Sequence, residues 1–164
     1  MAFIEIEKGI KNNFTSKIRI DKKKNIVEKI INYGLFSDEL FKREIYWLTK
    51  LYSTDIVPKL ISCNPITHTI VMDWCGDILT KKNSPEDVYE QLYNIQIILL
   101  QNNCFYNDWK YGNLLVKKNK ITIIDFGWCP IIKEDYSCNQ EVKTQLTKKP
   151  AGNFFKNIFE NKGQ

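Results

Sequence analysis

Histidine is almost absent: the 164-residue chain contains one, His68. A multi-histidine metal centre is therefore excluded, and a histidine-based triad would have only that residue to run through. It lies in Asn64-Pro65-Ile66-Thr67-His68-Thr69, which reads as a turn between strands, so an exposed loop histidine is expected. Glycine and proline are scarce, 7 and 5, which speaks against a fibrous or low-complexity chain. No apolar run approaches the ~18 residues of a membrane span. The five cysteines (Cys63, Cys75, Cys104, Cys129, Cys138) are odd in number, scattered and without a Cys-x-x-Cys pair, so neither a disulfide framework nor a zinc site is indicated. Met1-Ala2-Phe3-Ile4-Glu5-Ile6-Glu7 alternates apolar and acidic residues, where a secretory leader would show a basic end and an apolar run. An intracellular, cytoplasmic, reduced protein without membrane association is expected.

What is present fits one globular domain: 43% hydrophobic and 26% charged residues. A chain of this size buries roughly 70% of its extended surface on folding, enough for a core without staples. The balance of 24 Lys+Arg against 19 Asp+Glu gives +5, with a pI of about 8.8. That suits an anionic ligand. Lys22-Lys23-Lys24, Lys117-Lys118 and Lys148-Lys149 are dispersed and lack interleaved aromatics, so no dedicated nucleic-acid binding is expected.

Hydrophobic periodicity orders the chain. Residues 3–7, 16–20 and 25–31 alternate as short strands, separated by turn-like stretches at 9–13 and 21–24. After Ser37, an N-cap candidate, residues 38–52 place Leu40, Ile45, Trp47, Leu48 and Leu51 at helical spacing, with Glu44 inside the apolar stripe. Strand character returns at 57–62 and 69–74. Gly76 and Lys81-Lys82-Asn83 interrupt it, and Ser84-Pro85-Glu86-Asp87 opens a helix over 88–101. Two short strands, 113–117 and 121–125, then flank Lys118-Asn119-Lys120. Beyond Lys133 the chain is polar except for Phe154-Phe155 and Ile158-Phe159, whose i, i+4 spacing suggests a short docking helix.

The chemistry concentrates in Tyr106-Asn107-Asp108-Trp109-Lys110-Tyr111-Gly112-Asn113 and Ile123-Ile124-Asp125-Phe126-Gly127. Here the sequence resembles the protein-kinase-like family, with a catalytic loop of the form Asp-x-Lys-x-x-Asn and a metal-binding Asp-Phe-Gly turn. The resemblance covers roughly residues 1–130 and implies an α+β, two-lobed fold: a β-rich small lobe over 1–75, a truncated helical lobe over 76–136, and a tail over 137–164. It also implies ATP and Mg²⁺. Carboxylate and amide oxygens suit that hard cation, so the resemblance assigns metal binding to Asp125 and Asn113. It gives Asp108 the orientation or deprotonation of an acceptor hydroxyl, and Lys110 the charge on the transferred phosphoryl group.

The family also needs a strand lysine for the α- and β-phosphates and a helix glutamate to pair with it. Lys29 and Glu44 stand where these are required, and a glutamate on a buried face itself calls for a cationic partner; Lys24 and Lys17 are the alternative partners. Ile70-Val71-Met72-Asp73-Trp74-Cys75-Gly76 resembles the strand and hinge over which adenine stacks, with backbone groups of Asp73 and Cys75 at the purine edge and Met72 as gatekeeper. An ordinary buried strand ending in a glycine turn has the same composition.

Departures from the pattern are specific. Between the first two strands only Gly9 remains of a glycine-rich loop, with Phe14 standing for the aromatic at its tip, which predicts a weaker grip on ATP. Tyr106-Asn107 replaces the usual His-Arg, so a receptor for an activation-loop phosphate is missing. Only 37 residues follow Gly127, too few for the usual peptide-binding platform, a trimming that goes further than in small RIO-type kinases. The expected activity is ATP- and Mg²⁺-dependent transfer of the γ-phosphate to a hydroxyl, of Ser/Thr in a protein before others. Two alternatives stand beside it: a pseudokinase that binds nucleotide or a partner kinase, and a small-molecule kinase.

Overall fold

A computed structural model of the protein describes residues 4–10 and 13–131. The chain builds two antiparallel sheets and two helices in the order β1 (Ile4–Ile10), β2 (Asn13–Asp21), β3 (Ile26–Ile31), α1 (Ser37–Lys50), β4 (Leu60–Asn64), β5 (Thr69–Asp73), β6 (Asp77–Ile78), α2 (Val88–Gln101), β7 (Leu114–Lys117) and β8 (Lys120–Ile123). The first sheet has the order β1-β2-β3-β5-β4, the second β6-β7-β8. This is the α+β architecture expected, with a small helical portion.

Each helix forms because one face can be buried. On α1 the buried positions are Ser37, Phe41, Glu44, Trp47 and Leu48, at helical spacing, and the capping residue Leu51 continues the stripe. On α2 they are Val88, Leu92, Ile95 and Leu99. The α2 terminus is closed by left-handed Asn103 (φ 56°) with Cys104 N donating to Leu99 O at 2.8 Å and Asn103 N to Leu100 O at 3.0 Å, the pairing of a Schellman motif. Lys118 and Asn119, at φ 50° and 62°, make the two-residue turn that pairs Lys117 with Lys120. One core runs through both halves, from Ile31, Trp47 and Ile70 to Leu92, Ile123 and Phe126.

Several boundaries move from the sequence reading. The strand expected at 57–62 is Leu60–Asn64, because Val57 and Pro58 are buried in a bend. The strands expected at 113–117 and 121–125 begin and end at 114–117 and 120–123, with 111–113 forming a 3-10 turn. Ser37 is the first helical residue rather than the cap, and its hydroxyl donates to Gly34 O at 3.0 Å. The turn expected at 9–13 is largely strand: Gly9 pairs with Phe14 and Ile10 with Asn13, after an irregularity at Lys8/Gly9. His68 is not exposed. It is 5% accessible, with φ 46°, its Nε2 lying 2.7 Å from Asp38 Oδ1 and its ring against Tyr33 and Phe41. Its turn is therefore pinned to the start of α1. The helix expected around Phe154-Phe155 and Ile158-Phe159 lies outside the described residues.

Gly76 joins the two sheets. It has φ 112°, and a Cβ there would stand 2.0 Å from Val116 O on β7, an approach that a side chain forbids. Gly76→Ala is expected to lower the unfolding free energy by at least about 2 kcal/mol, combining left-handed strain with overpacking against backbone. Urea denaturation checks this; an unchanged midpoint would show that the connection relaxes freely.

Candidate functional site

A cleft opens between the five-stranded sheet and the β6-β7-β8 sheet. Its walls are apolar (Ile18, Ile20, Val27, Met72, Ile78, Leu115), and its polar end holds Lys29, Glu44 and Asp125. An apolar cleft with a few convergent charges at one end is the shape of a small-ligand site.

The strand register places the lysine. On β3, Lys29 stands opposite Ile18 of β2 and Ile70 of β5, so its stem runs between apolar neighbours on the inner face. Its Nζ lies 3.1 Å from Glu44 Oε2 and 2.7 Å from Asp125 Oδ1. Lys29 and Glu44 are 7% and 1% accessible. Burial alone would lower the lysine's pKa, but the Asp125 and Glu44 charges outweigh it and hold the ammonium well above its ordinary range. For Glu44, burial pushes the carboxyl up and the Asp125 charge adds to this, while Lys29 opposes it. Among Lys17, Lys24 and Lys29, the partner of Glu44 is Lys29.

Asp125 sits just past β8 with φ 71°, a conformation that costs a non-glycine residue roughly 1 kcal/mol or more. The next residues fix it from behind. Phe126 is fully buried, its backbone N–H reaches Glu44, and Gly127 lies against Leu40 of α1. Trp47 Nε1 donates to Cys129 O at 3.1 Å, tying the same helix to the chain beyond the turn.

The loop before β7 supplies the second group. Asn113, buried in its 3-10 turn, donates from Nδ2 to Asp108 Oδ2 at 2.8 Å, to Asp108 O at 3.0 Å and to Tyr106 Oη at 3.0 Å. Lys110 Nζ lies 2.6 Å from the same Asp108 Oδ2. Asp108 Oδ1 has no partner among the described residues, and its side chain is one-third exposed. The backbone closes the arrangement: Ile124 N donates to Asn113 O at 3.0 Å. The two segments carrying Asp108 and Asp125 are therefore held side by side.

Sequence reasoning missed Tyr106. Its hydroxyl donates to Ile124 O at 2.7 Å while accepting from Asn113, and its ring packs edge-on against Phe126 and Trp109. Burial, with the Asp125 charge adding, pushes its phenol far above the ordinary value, so it stays a donor. It braces the two segments where the sequence showed only a missing His-Arg. Trp74 was missed as well: the ammonium groups of Lys22 and Lys117 lie over its ring, 4.8 and 4.6 Å from the centroid, and Lys117 also donates to Trp74 O and to Asn25 Oδ1.

The remaining expected residues divide. Met72 and Asp73 line the cleft with Trp74 and Gly76. Cys75 instead lines a separate depression with Lys59, Lys117 and Thr122, its thiol pushed up to about 12 by burial and by Asp73. Asp73 N donates to Lys59 O at 3.1 Å, and its carboxylate accepts from Lys59 N at 2.5 Å. Gly9 and Phe14 are placed as paired strand residues.

The donor set suits a hard cation in part. Asp125 offers a carboxylate, and Asn113, with its amide nitrogen spent on Asp108 and Tyr106, keeps its carbonyl oxygen. Among the described residues no cluster of three acidic, histidine or cysteine side chains can hold a metal alone. A Mg²⁺ here would complete its shell with ligand oxygens and water, as that ion does in phosphate-bound sites.

A family profile described as the RIO domain matches residues 2–137. No curated protein matches the chain. The profile spans both sheets, the Lys29–Glu44–Asp125 cluster and the Asp108–Asn113 loop, and the chain belongs to the RIO domain family of atypical, protein-kinase-like proteins.

Proposed function

We propose that the protein is a single kinase-like domain, with residues 1–75 as its small lobe, that transfers the γ-phosphate of ATP to a hydroxyl, of Ser or Thr in a protein before other acceptors. The observation that carries this reading is the convergence of Lys29, Glu44 and Asp125 at the charged end of an apolar cleft, with Asp108 held beside them by Asn113.

In this reading the residues divide the work. The apolar walls near Met72 and Trp74 take the base, with backbone groups of Asp73 and Cys75 at its edge. Lys29, kept charged by two carboxylates, meets the α- and β-phosphates, and Glu44 holds it in place. Asp125 and Asn113 would hold Mg²⁺, which when bound neutralises phosphate charge. Asp108 Oδ1, without a partner among the described residues, accepts the hydrogen bond of the acceptor hydroxyl and orients it. Lys110, exposed and paired with Asp108 Oδ2, is positioned to balance charge on the moving phosphoryl group.

A pseudokinase reading has one observation in its favour. Ile10 pairs with Asn13, which leaves two residues between β1 and β2 where a phosphate-covering loop would stand. Under the transferase reading this weakens nucleotide binding without removing it. Thermal unfolding tests the nucleotide step: ATP with Mg²⁺ at about 100 times its Kd is expected to stabilise the protein by about 2.7 kcal/mol. AMP, lacking the phosphates that Lys29 meets, is expected to do less at the same concentration. Equal melting temperatures with and without ATP·Mg²⁺ at millimolar concentration would count against nucleotide binding in this cleft.

A further inference from the structure

Cys104 and Cys129 face each other in the core with their sulfurs 3.4 Å apart. They are 1% and 2% accessible. Each is held in place independently. Cys104 N closes the Schellman motif of α2 on Leu99 O, while Cys129 N donates to Phe126 O at 2.8 Å and its carbonyl accepts from Trp47 Nε1. Bonded sulfurs stand at ~2.05 Å, so an approach of about 1.4 Å closes the bond. The pair also bridges functional segments: Cys104 lies four residues before Asp108, and Cys129 two residues after Gly127.

We propose that Cys104 and Cys129 form a reversible dithiol–disulfide site, oxidised by a hydroperoxide, which ties the segment entering the Asp108 loop to the turn following Asp125. The inference stands on the thiol geometry and is independent of phosphotransfer. Cys129 meets the oxidant first, because it lies in a turn between exposed Trp128 and Pro130, whereas Cys104 is held at the end of α2 by its bond to Leu99 O. The Cys129 sulfur attacks one peroxide oxygen; an S–O bond forms, the O–O bond breaks, and the other oxygen takes up the thiol proton and leaves as water or alcohol. Cys104 sulfur then attacks the resulting sulfenic acid. The S–S bond forms, the S–O bond breaks, and hydroxide departs with the Cys104 proton as water. Two thiols lose two electrons and the hydroperoxide gains them. Both sulfurs are buried, so the reaction waits on local opening and is slower than oxidation of exposed Cys63.

Closing a ring between residues 104 and 129 removes conformations from the unfolded chain, and a rise in Tm of roughly 5–10 °C is expected. The test uses the full chain carrying Cys63→Ser, Cys75→Ser and Cys138→Ser. It is treated with hydrogen peroxide, alkylated in denaturant, digested and read by mass spectrometry without reduction. The expected result is a linked peptide joining Cys104 to Cys129, about 2 Da below the sum of its parts, together with the Tm rise, both reversed by dithiothreitol. Alkylation of both thiols after oxidation, links between chains only, or over-oxidation of either sulfur without the link would overturn the proposal. The same digest of the unsubstituted protein, mapped for every cysteine, shows whether the link forms without the three serines, and its absence there would also overturn it.

Discussion

Lys29→Met is expected to lower the unfolding free energy by about 3–5 kcal/mol and to abolish phosphotransfer. The size follows from what the substitution leaves behind. Glu44 is 1% accessible, its Oε2 has no hydrogen-bond partner beyond the ion pair with Lys29, and Asp125 loses its contact at 2.7 Å. Methionine fills the volume but takes away the ammonium that Glu44 and Asp125 share. Glu44→Gln in the Lys29→Met background removes one stranded charge and is expected to restore part of the lost stability, a coupling that a double-mutant cycle reads directly. Additive losses would mean that the pair is not an energetic unit.

The same cluster sets a pH dependence. The folded pKa of Lys29 is raised above the unfolded value of about 10.5, so its contribution is fully present below that pH and is lost as pH rises above it towards the folded value. Alkaline solution should therefore destabilise the native protein more steeply than the Lys29→Met variant, measured as the slope of unfolding free energy against pH.

Asp108→Asn is expected to slow transfer by roughly 10²- to 10⁴-fold, the range for loss of a positioned acid–base group, while leaving ATP·Mg²⁺ binding nearly unchanged. The asparagine keeps the shape of the side chain, and Asn113 still has Asp108 O and Tyr106 to bond. What disappears is the carboxylate charge that the transferase reading sets against the acceptor hydroxyl. Asp125→Asn is expected to act on the other side of the reaction, removing the Mg²⁺-dependent part of nucleotide binding along with activity. Calorimetric titration with and without Mg²⁺ separates the two. A loss of nucleotide affinity in Asp108→Asn equal to that in Asp125→Asn would contradict the roles assigned here.

How far the site could be read in advance depended on the range of the interactions. Asp108, Lys110 and Asn113 act through side-chain neighbours two to seven residues away, and Asp125 follows a strand with a clear hydrophobic pattern, so a local motif carried them. Glu44 was legible because a charge interrupted an apolar helical stripe. Tyr106 bonds Ile124 across 18 residues, and Trp47 meets Cys129 across 82; nothing in the local pattern of either residue points to its partner. His68 was misplaced for a similar reason. Its turn composition is ordinary, and only the packing of α1 brings Asp38, Tyr33 and Phe41 around it. The two-residue strand β6 was invisible because so short a segment has no periodicity, while the backbone approach at Gly76 that positions it depends on Val116, 40 residues on.

The transferase reading rests on the family, the cleft and the charge cluster together, and transfer of radiolabelled γ-phosphate from ATP by the purified protein tests it. Label is expected on the protein itself or on a generic protein acceptor, stable to hydroxylamine as a Ser/Thr phosphoester is, dependent on Mg²⁺, and lost in both Asp108→Ala and Asp125→Ala. No label above that of the two variants, from native protein shown to bind ATP·Mg²⁺, would contradict the transferase reading and leave a nucleotide-binding module.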